Sequence, residues 1–185
     1  MEKKRDNKIA KTQSKIRDLI YMALMSSIVL LGTSLITIPS YNGVIHIGDS
    51  IIFISVILLG KKKGAVSSAL GMFLFDILHG YTYWAPFTFI IKGSMVLIAG
   101  WIIERGENKS TLKYAFAFLV SGIFMIGAYF ISGALIKMLF LGEGITFMKA
   151  LIVSSYDIPG NILQVFVGII IALPLIKVVE THRIV

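Results

Sequence analysis

Cysteine is absent from the 185-residue chain, which excludes a disulfide framework, a thiolate nucleophile and any cysteine-ligated metal. Charge is scarce. Asp, Glu, Lys and Arg make up 15% of the residues, where a soluble domain carries about 25%. The basic excess, 18 Lys and Arg against 10 Asp and Glu, flanks apolar segments and forms no face interleaved with aromatics, so nucleic acid is not an expected partner. No phosphate-binding G-x-x-x-x-G-K-[ST] loop and no serine- or zinc-protease motif is present.

The chain is instead largely apolar. The hydrophobic fraction is 56% and the mean hydropathy +0.85, distributed in runs that have the bilayer as their solvent. The expected fold is an all-α, polytopic membrane protein: one bundle of six transmembrane helices over 19–179, with both termini cytoplasmic. The six segments are 19–38, ending at Pro39; 47–60 and 64–79, separated by "GKKKG"; 85–103; 114–136; and 148–176, broken in its first half by "YDIPGN". The second and third are near the lower limit for spanning, about 17 residues, and a re-entrant pair is their other reading. With the N-terminus inside, all but Lys92, Lys137 and Lys149 of the 18 basic residues fall on inner segments, in keeping with the positive-inside rule. Residues 1–18 read as a retained basic arm lying on anionic lipid. The run behind them has anchor length and no small-x-small cleavage pattern. Residues 180–185 read as a cytoplasmic tail.

The loops on the two sides differ. The inner ones are basic, whereas "PSYNGVIHIGDS", "HGYTYWAP" and "LGEGITF" hold aromatics, glycines, histidines and acids. Such loops converging on one mouth of a helix bundle suggest a binding site that opens outward. Lys92 lies inside the fourth segment, roughly 9 Å from its start at Pro86. Either its amine snorkels to the outer headgroups, or it faces the bundle interior and pairs with Asp49, Asp76, Asp157 or a ligand. The cost of a mid-span lysine, about 2.5–3.5 kcal/mol, favours a partner. His46 with Asp49, and Asp76 with His79, stand at i,i+3 and would share helix faces. Asp49, Asp76, His79 and Asp157 are expected to be structural, in capping or hydrogen-bonded loop packing, with direct ligand contact and a His/carboxylate metal site as the other readings of the two pairs. No metal or other cofactor is expected at them. The Pro-Gly step in "SSYDIPGNILQ" frees backbone groups of the kind that line cavities. Asn161 and Gln164 there share a face suited to a heterocyclic solute, or to polar contact between helices. Ala23 and Ser27 form a small-x-x-x-small ridge, broadened by Ser26, for close approach of another helix.

An enzyme reading is weak. Asp49 and Asp157 echo the paired carboxylates of membrane aspartyl proteases, but those need GxGD, position 46 is His, and the two motifs come in reversed order.

The stretch "VIHIGDSIIFISVILLGKKKGAVSSALGMFLFDILHGYTYWAPFTFIIKG" resembles the substrate-binding S components of energy-coupling factor (ECF) vitamin transporters, in the branch with riboflavin-, pyridoxine- and hydroxymethylpyrimidine-type members. The shared features are a GD starting span two, a G-x-x-x-G inner turn, an acid followed by GY closing span three, and AP-x-T-x-x-I-K-G opening span four. The resemblance implies a non-enzymatic subunit of six helices in a prokaryotic cell membrane. Such a subunit captures a small water-soluble vitamin or precursor at the outer face. It docks through span one onto a transmembrane coupling subunit driven by two cytoplasmic ATPase subunits. Carried onto this chain, the implied substrate-binding residues are Tyr41, Asn42, His46, Trp84, Thr88, Lys92, Tyr129, Tyr156, Asn161 and Gln164. Docking falls to Ala23 and Ser27, the serine departing from the family's usual alanine. A stand-alone secondary carrier or channel is the rival reading. Against it, the chain is small and shows no internal repeat.

Overall fold

A computed structural model describes residues 2–39, 44–106, 109–140 and 145–183. The protein is a helical membrane protein: helices α1 (Glu2–Leu35), α2 (Gly48–Leu78), α3 (Ala85–Glu104), α4 (Thr111–Phe140), α5 (Phe147–Ser155) and α6 (Ile158–Arg183) pack around one apolar core. Four of them carry stretches long and apolar enough to cross a bilayer: Ile9–Leu35, Ala85–Glu104, Thr111–Phe140 and Ile158–Thr181. At 1.5 Å per residue α1 is about 50 Å long, well beyond a hydrocarbon core of about 30 Å. Its basic N-terminal turns therefore continue the same helix past the apolar stretch.

The first apolar segment ends earlier than its composition suggests. The β-branched run after Leu35 leaves the helix, and Thr37–Pro39 (β1) pairs antiparallel with Val44–His46 (β2), Thr37 opposite His46. Pro39 cannot donate a ladder hydrogen bond and suits the end of an edge strand. His46 accordingly sits on a strand rather than sharing a helix face with Asp49, a correction to the i,i+3 reading.

The "GKKKG" stretch is a turn within α2. Gly60 has φ 74° and ψ 172°, a left-handed conformation open to glycine. The Ser55 and Ser68 hydroxyls lie 2.9 Å apart. Thirteen residues along a straight helix would separate them by about 20 Å, so α2 folds back on itself as a hairpin of arms 48–59 and 61–78. The arms measure about 18 and 27 Å. The second glycine permits their close approach: a Cβ on Gly64 would lie 2.9 Å from the Ser55 carbonyl oxygen. At the tip Lys61 pairs with Glu104 of α3 at 2.5 Å and Lys63 with Asp18 of α1 at 2.7 Å.

α1 packs chiefly on α2, α2 on α3 and α6, and α4 on α3, α5 and α6. The α1–α2 seam depends on small residues. Ser26 Oγ donates to the Ser67 carbonyl across it at 2.9 Å. A Cβ on Gly71 would stand 2.6 Å from the Ser26 carbonyl oxygen and 2.8 Å from Val29 Cβ. Gly71→Val is thus expected to push α1 off α2, destabilising the protein by about 1–3 kcal/mol. Thermal unfolding in detergent checks this, with Gly127→Ala as control, since a Cβ there meets nothing within 4 Å. The last apolar segment is divided at Tyr156–Asp157 into the short α5 and the long α6, which carries Pro159 in its first turn.

Candidate functional site

At the end of the bundle away from the lysine-bearing hairpin tip, an open cleft lies among α2, α3, α4, α6 and β2. One wall comes from the turn between α2 and α3. The Tyr81 N–H donates to the Asp76 carbonyl at 2.7 Å, the Trp84 N–H to the Tyr81 carbonyl at 2.8 Å, and the Thr88 N–H to the Trp84 carbonyl at 2.8 Å. Gly80, with φ 84°, permits the tight reversal. The result brings Tyr81, Trp84 and Thr88 to the cleft. Tyr129 of α4 stands beside them, its ring centroid 5.8 Å from that of Trp84. Asp157, Asn161 and Gln164 enter from the start of α6, and Val44, His46, Met72 and Asp76 complete the lining.

Beneath the cleft a polar network crosses the bundle. Lys92 and Asp49 are both fully buried and ion-paired at 2.5 Å. The Lys92 ammonium also approaches Met125 Sδ at 3.0 Å and lies 5.4 Å from the Tyr129 ring centroid. Gln164 Nε2 donates to the second Asp49 oxygen at 2.9 Å, and the His46 backbone N–H donates to Gln164 Oε1 at 3.3 Å. The Gly48 N–H donates to His46 Nδ1 at 3.2 Å, so that ring nitrogen carries no proton. Burial pushes the His46 imidazole down to about 4, and the nearby Lys92 charge acts in the same direction. A buried charge is tolerable when it is both paired and hydrogen-bonded, and this network supplies both.

A second relay leads into the cleft itself. The Tyr129 hydroxyl donates to Thr88 Oγ1 at 3.3 Å, and Thr88 lines the cleft together with Asp76. Asp76 is 5% exposed, and its Oδ2 has no hydrogen-bond partner among the described residues.

The residues singled out from the sequence are distributed as follows. His46, Trp84, Thr88, Tyr129, Asn161 and Gln164 line the cleft. Lys92 lies below the lining; it neither snorkels nor faces the opening. Tyr156 turns outward, 58% exposed, and is not part of the lining. Tyr41 and Asn42 lie outside the described residues. Asp49 caps nothing: α2 has no side-chain cap hydrogen bond, and the carboxylate is engaged by Lys92 and Gln164. His79 does sit at the C-cap of α2, its Nδ1 2.9 Å from the Phe75 carbonyl and its ring stacked on Phe75. Asp76 and Asp157, read as structural, border the cleft, as do Tyr81, Met72 and Val44, which the sequence reading passed over. Met72 and Asp76 stand at i,i+4 on one helix face, a spacing that could have pointed to them. Ala23 and Ser27 are on the exposed face of α1. Among the described residues no three His, Asp or Glu side chains gather as metal ligands.

Comparison with known proteins agrees with this architecture. Residues 13–181 match the family model of the ECF-type riboflavin transporter S component. The thiamine precursor transporter HmpT of Lactococcus lactis subsp. cremoris is 28% identical over 168 residues, covering 89% of each chain. A Pyrococcus woesei protein described as "uncharacterized protein in gap 3′ region" is 34% identical over 97 residues, 51% of this chain and 62% of that one. A match over nearly the whole chain, on a helical membrane fold with a cleft at one end, places this protein in the family of ECF-type riboflavin transporter S components.

Proposed function

We propose that the chain is the substrate-capturing subunit of an ECF-type transporter, taking up a small water-soluble vitamin or precursor of the hydroxymethylpyrimidine, pyridoxine or riboflavin type. The α2 hairpin supplies two short spans beside the four long helices, giving six, with both termini and the lysine-rich tip on the cytoplasmic side. The cleft then opens outward. A transmembrane coupling subunit and two cytoplasmic ATPases provide the energy, since the chain has no nucleotide-binding loop of its own.

The observation that carries this reading is the cleft itself. Three aromatic side chains (Tyr81, Trp84 and Tyr129) stand with the polar groups of Thr88, Asp76 and Asn161 around one opening. Flat apolar faces and a few convergent polar groups suit a small substituted heterocycle. The protease reading loses its carboxylate dyad, because Asp49 is committed to Lys92 and Gln164.

Purified protein is expected to carry a vitamin or precursor identifiable by mass spectrometry. The emptied protein should bind at least one of hydroxymethylpyrimidine, pyridoxine and riboflavin below about micromolar Kd. No co-purified vitamin, together with no binding of any of the three in that range, rejects the proposal.

A further inference from the structure

The cleft has an unusual charge pattern for a site deep in an apolar bundle. Its lining holds two carboxylates, Asp76 and Asp157, and no lysine or arginine. The ammonium beneath it is taken up by Asp49. Asp76 sits within the hydrophobic run "GMFLFDIL", 5% exposed, with its Oδ2 unsatisfied among the described residues. A buried acceptor left without a donor is costly, more so when it is charged, and such groups are few in native structures. The missing donor has room to enter from the cleft, where the Trp84 and Tyr129 rings stand.

We propose that Asp76 is the specificity-determining acceptor of this site, receiving an N–H from the amino substituent, or the protonated ring nitrogen beside it, of an aminated six-membered heteroaromatic ligand. The proposal rests on the reading of the cleft as a vitamin site and narrows its substrate class. The ligand's ring lies against Trp84 and Tyr129, whose hydroxyl is bonded to Thr88 beside the same opening. An N–H-rich edge suits the unsatisfied Asp76 oxygen. A phosphate ester of the same ring would face two carboxylates, with no lysine or arginine in the lining to receive it.

The test compares 4-amino-5-hydroxymethyl-2-methylpyrimidine with its isostere in which methyl replaces the amino group. Pyridoxine and riboflavin are included, and binding is followed calorimetrically on the full-length protein in detergent. The amino compound should bind at least about tenfold more tightly than the isostere, the range of a hydrogen bond to a charged group. In Asp76→Asn that ratio should collapse towards one. A ratio near one in the wild-type protein, or an unchanged ratio in Asp76→Asn, overturns the proposal. Because each ratio is taken within one protein, the wild-type ratio and the smaller Asp76→Ser variant decide the matter if Asp76→Asn does not fold. Tight binding of riboflavin or pyridoxine without any amino preference overturns the assignment of Asp76 and leaves the vitamin reading standing. Failure of all four compounds to bind overturns both.

Discussion

Lys92→Met should destabilise the protein by about 3–5 kcal/mol, a fall in Tm on the order of 10 °C. Lys92 and Asp49 have no solvent exposure and are paired at 2.5 Å, so removing the ammonium strands a carboxylate in the core with only the Gln164 amide beside it. The neutral methionine fits the space but cannot offset that charge. Asp49→Leu should be comparably damaging, because it strands the ammonium. The double variant Lys92→Met/Asp49→Leu removes both charges, and buried ion pairs replaced by apolar residues are often neutral or better. It should recover most of the loss. Thermal unfolding in detergent measures all three. If Lys92→Met melts within about 2 °C of the wild type, the ion pair contributes no stability and Lys92 needs another explanation.

The other large effect concerns uptake rather than stability. On α1, Val29 and Thr33 are buried, whereas Leu24, Ile28 and Leu31 are more than half exposed. Ala23 and Ser27 lie within that exposed face, and the Ser27 hydroxyl turns back to the Ala23 carbonyl at 3.0 Å. The result is a shallow step in an apolar surface, the shape that lets a second helix approach closely. On the proposed assembly this surface meets the coupling subunit. Ala23→Leu or Ser27→Leu should therefore reduce ATP-dependent uptake to background while leaving ligand affinity unchanged. Loss of affinity in either variant would make the ridge part of internal packing. Undiminished uptake in cells lacking the coupling subunit and its ATPases would identify a stand-alone carrier.

How far these features could be seen in the sequence varied with how local they are. The G-KKK-G turn was legible because glycine and charge interrupt an apolar run at one place, and Gly60 takes the conformation that residue permits. The bundle's helices were legible from the lengths of their apolar runs. The β1–β2 pairing was not. "ITIP" is as apolar as the helix before it, and only the antiparallel partner, five to nine residues on, separates strand from helix. Lys92 stood out as a misfit, yet three acids were equally placed to receive it. The choice of Asp49 is made by the folding of α2 against α3, across 43 residues. Asp76 looked like an end-of-span acid because the sequence does not say which way the second arm of the hairpin is rotated. Tyr156 misled for the opposite reason: it adjoins Asp157, but one position along the turn reverses the direction of the side chain.

Gln164 has a consequence for the strand pair that covers the cleft's edge. Its amide donates to Asp49 and accepts from the His46 N–H, so it cannot flip without exchanging donor for acceptor at both ends. The buried Asp49 carboxylate thereby sets the amide's orientation, and the amide in turn selects which residue of β2 it receives. A slip of one residue would present a side chain from the opposite face of the strand and turn the His46 imidazole out of the interior. The strand end at His46 is thus tied from below, through one amide, to the ion pair.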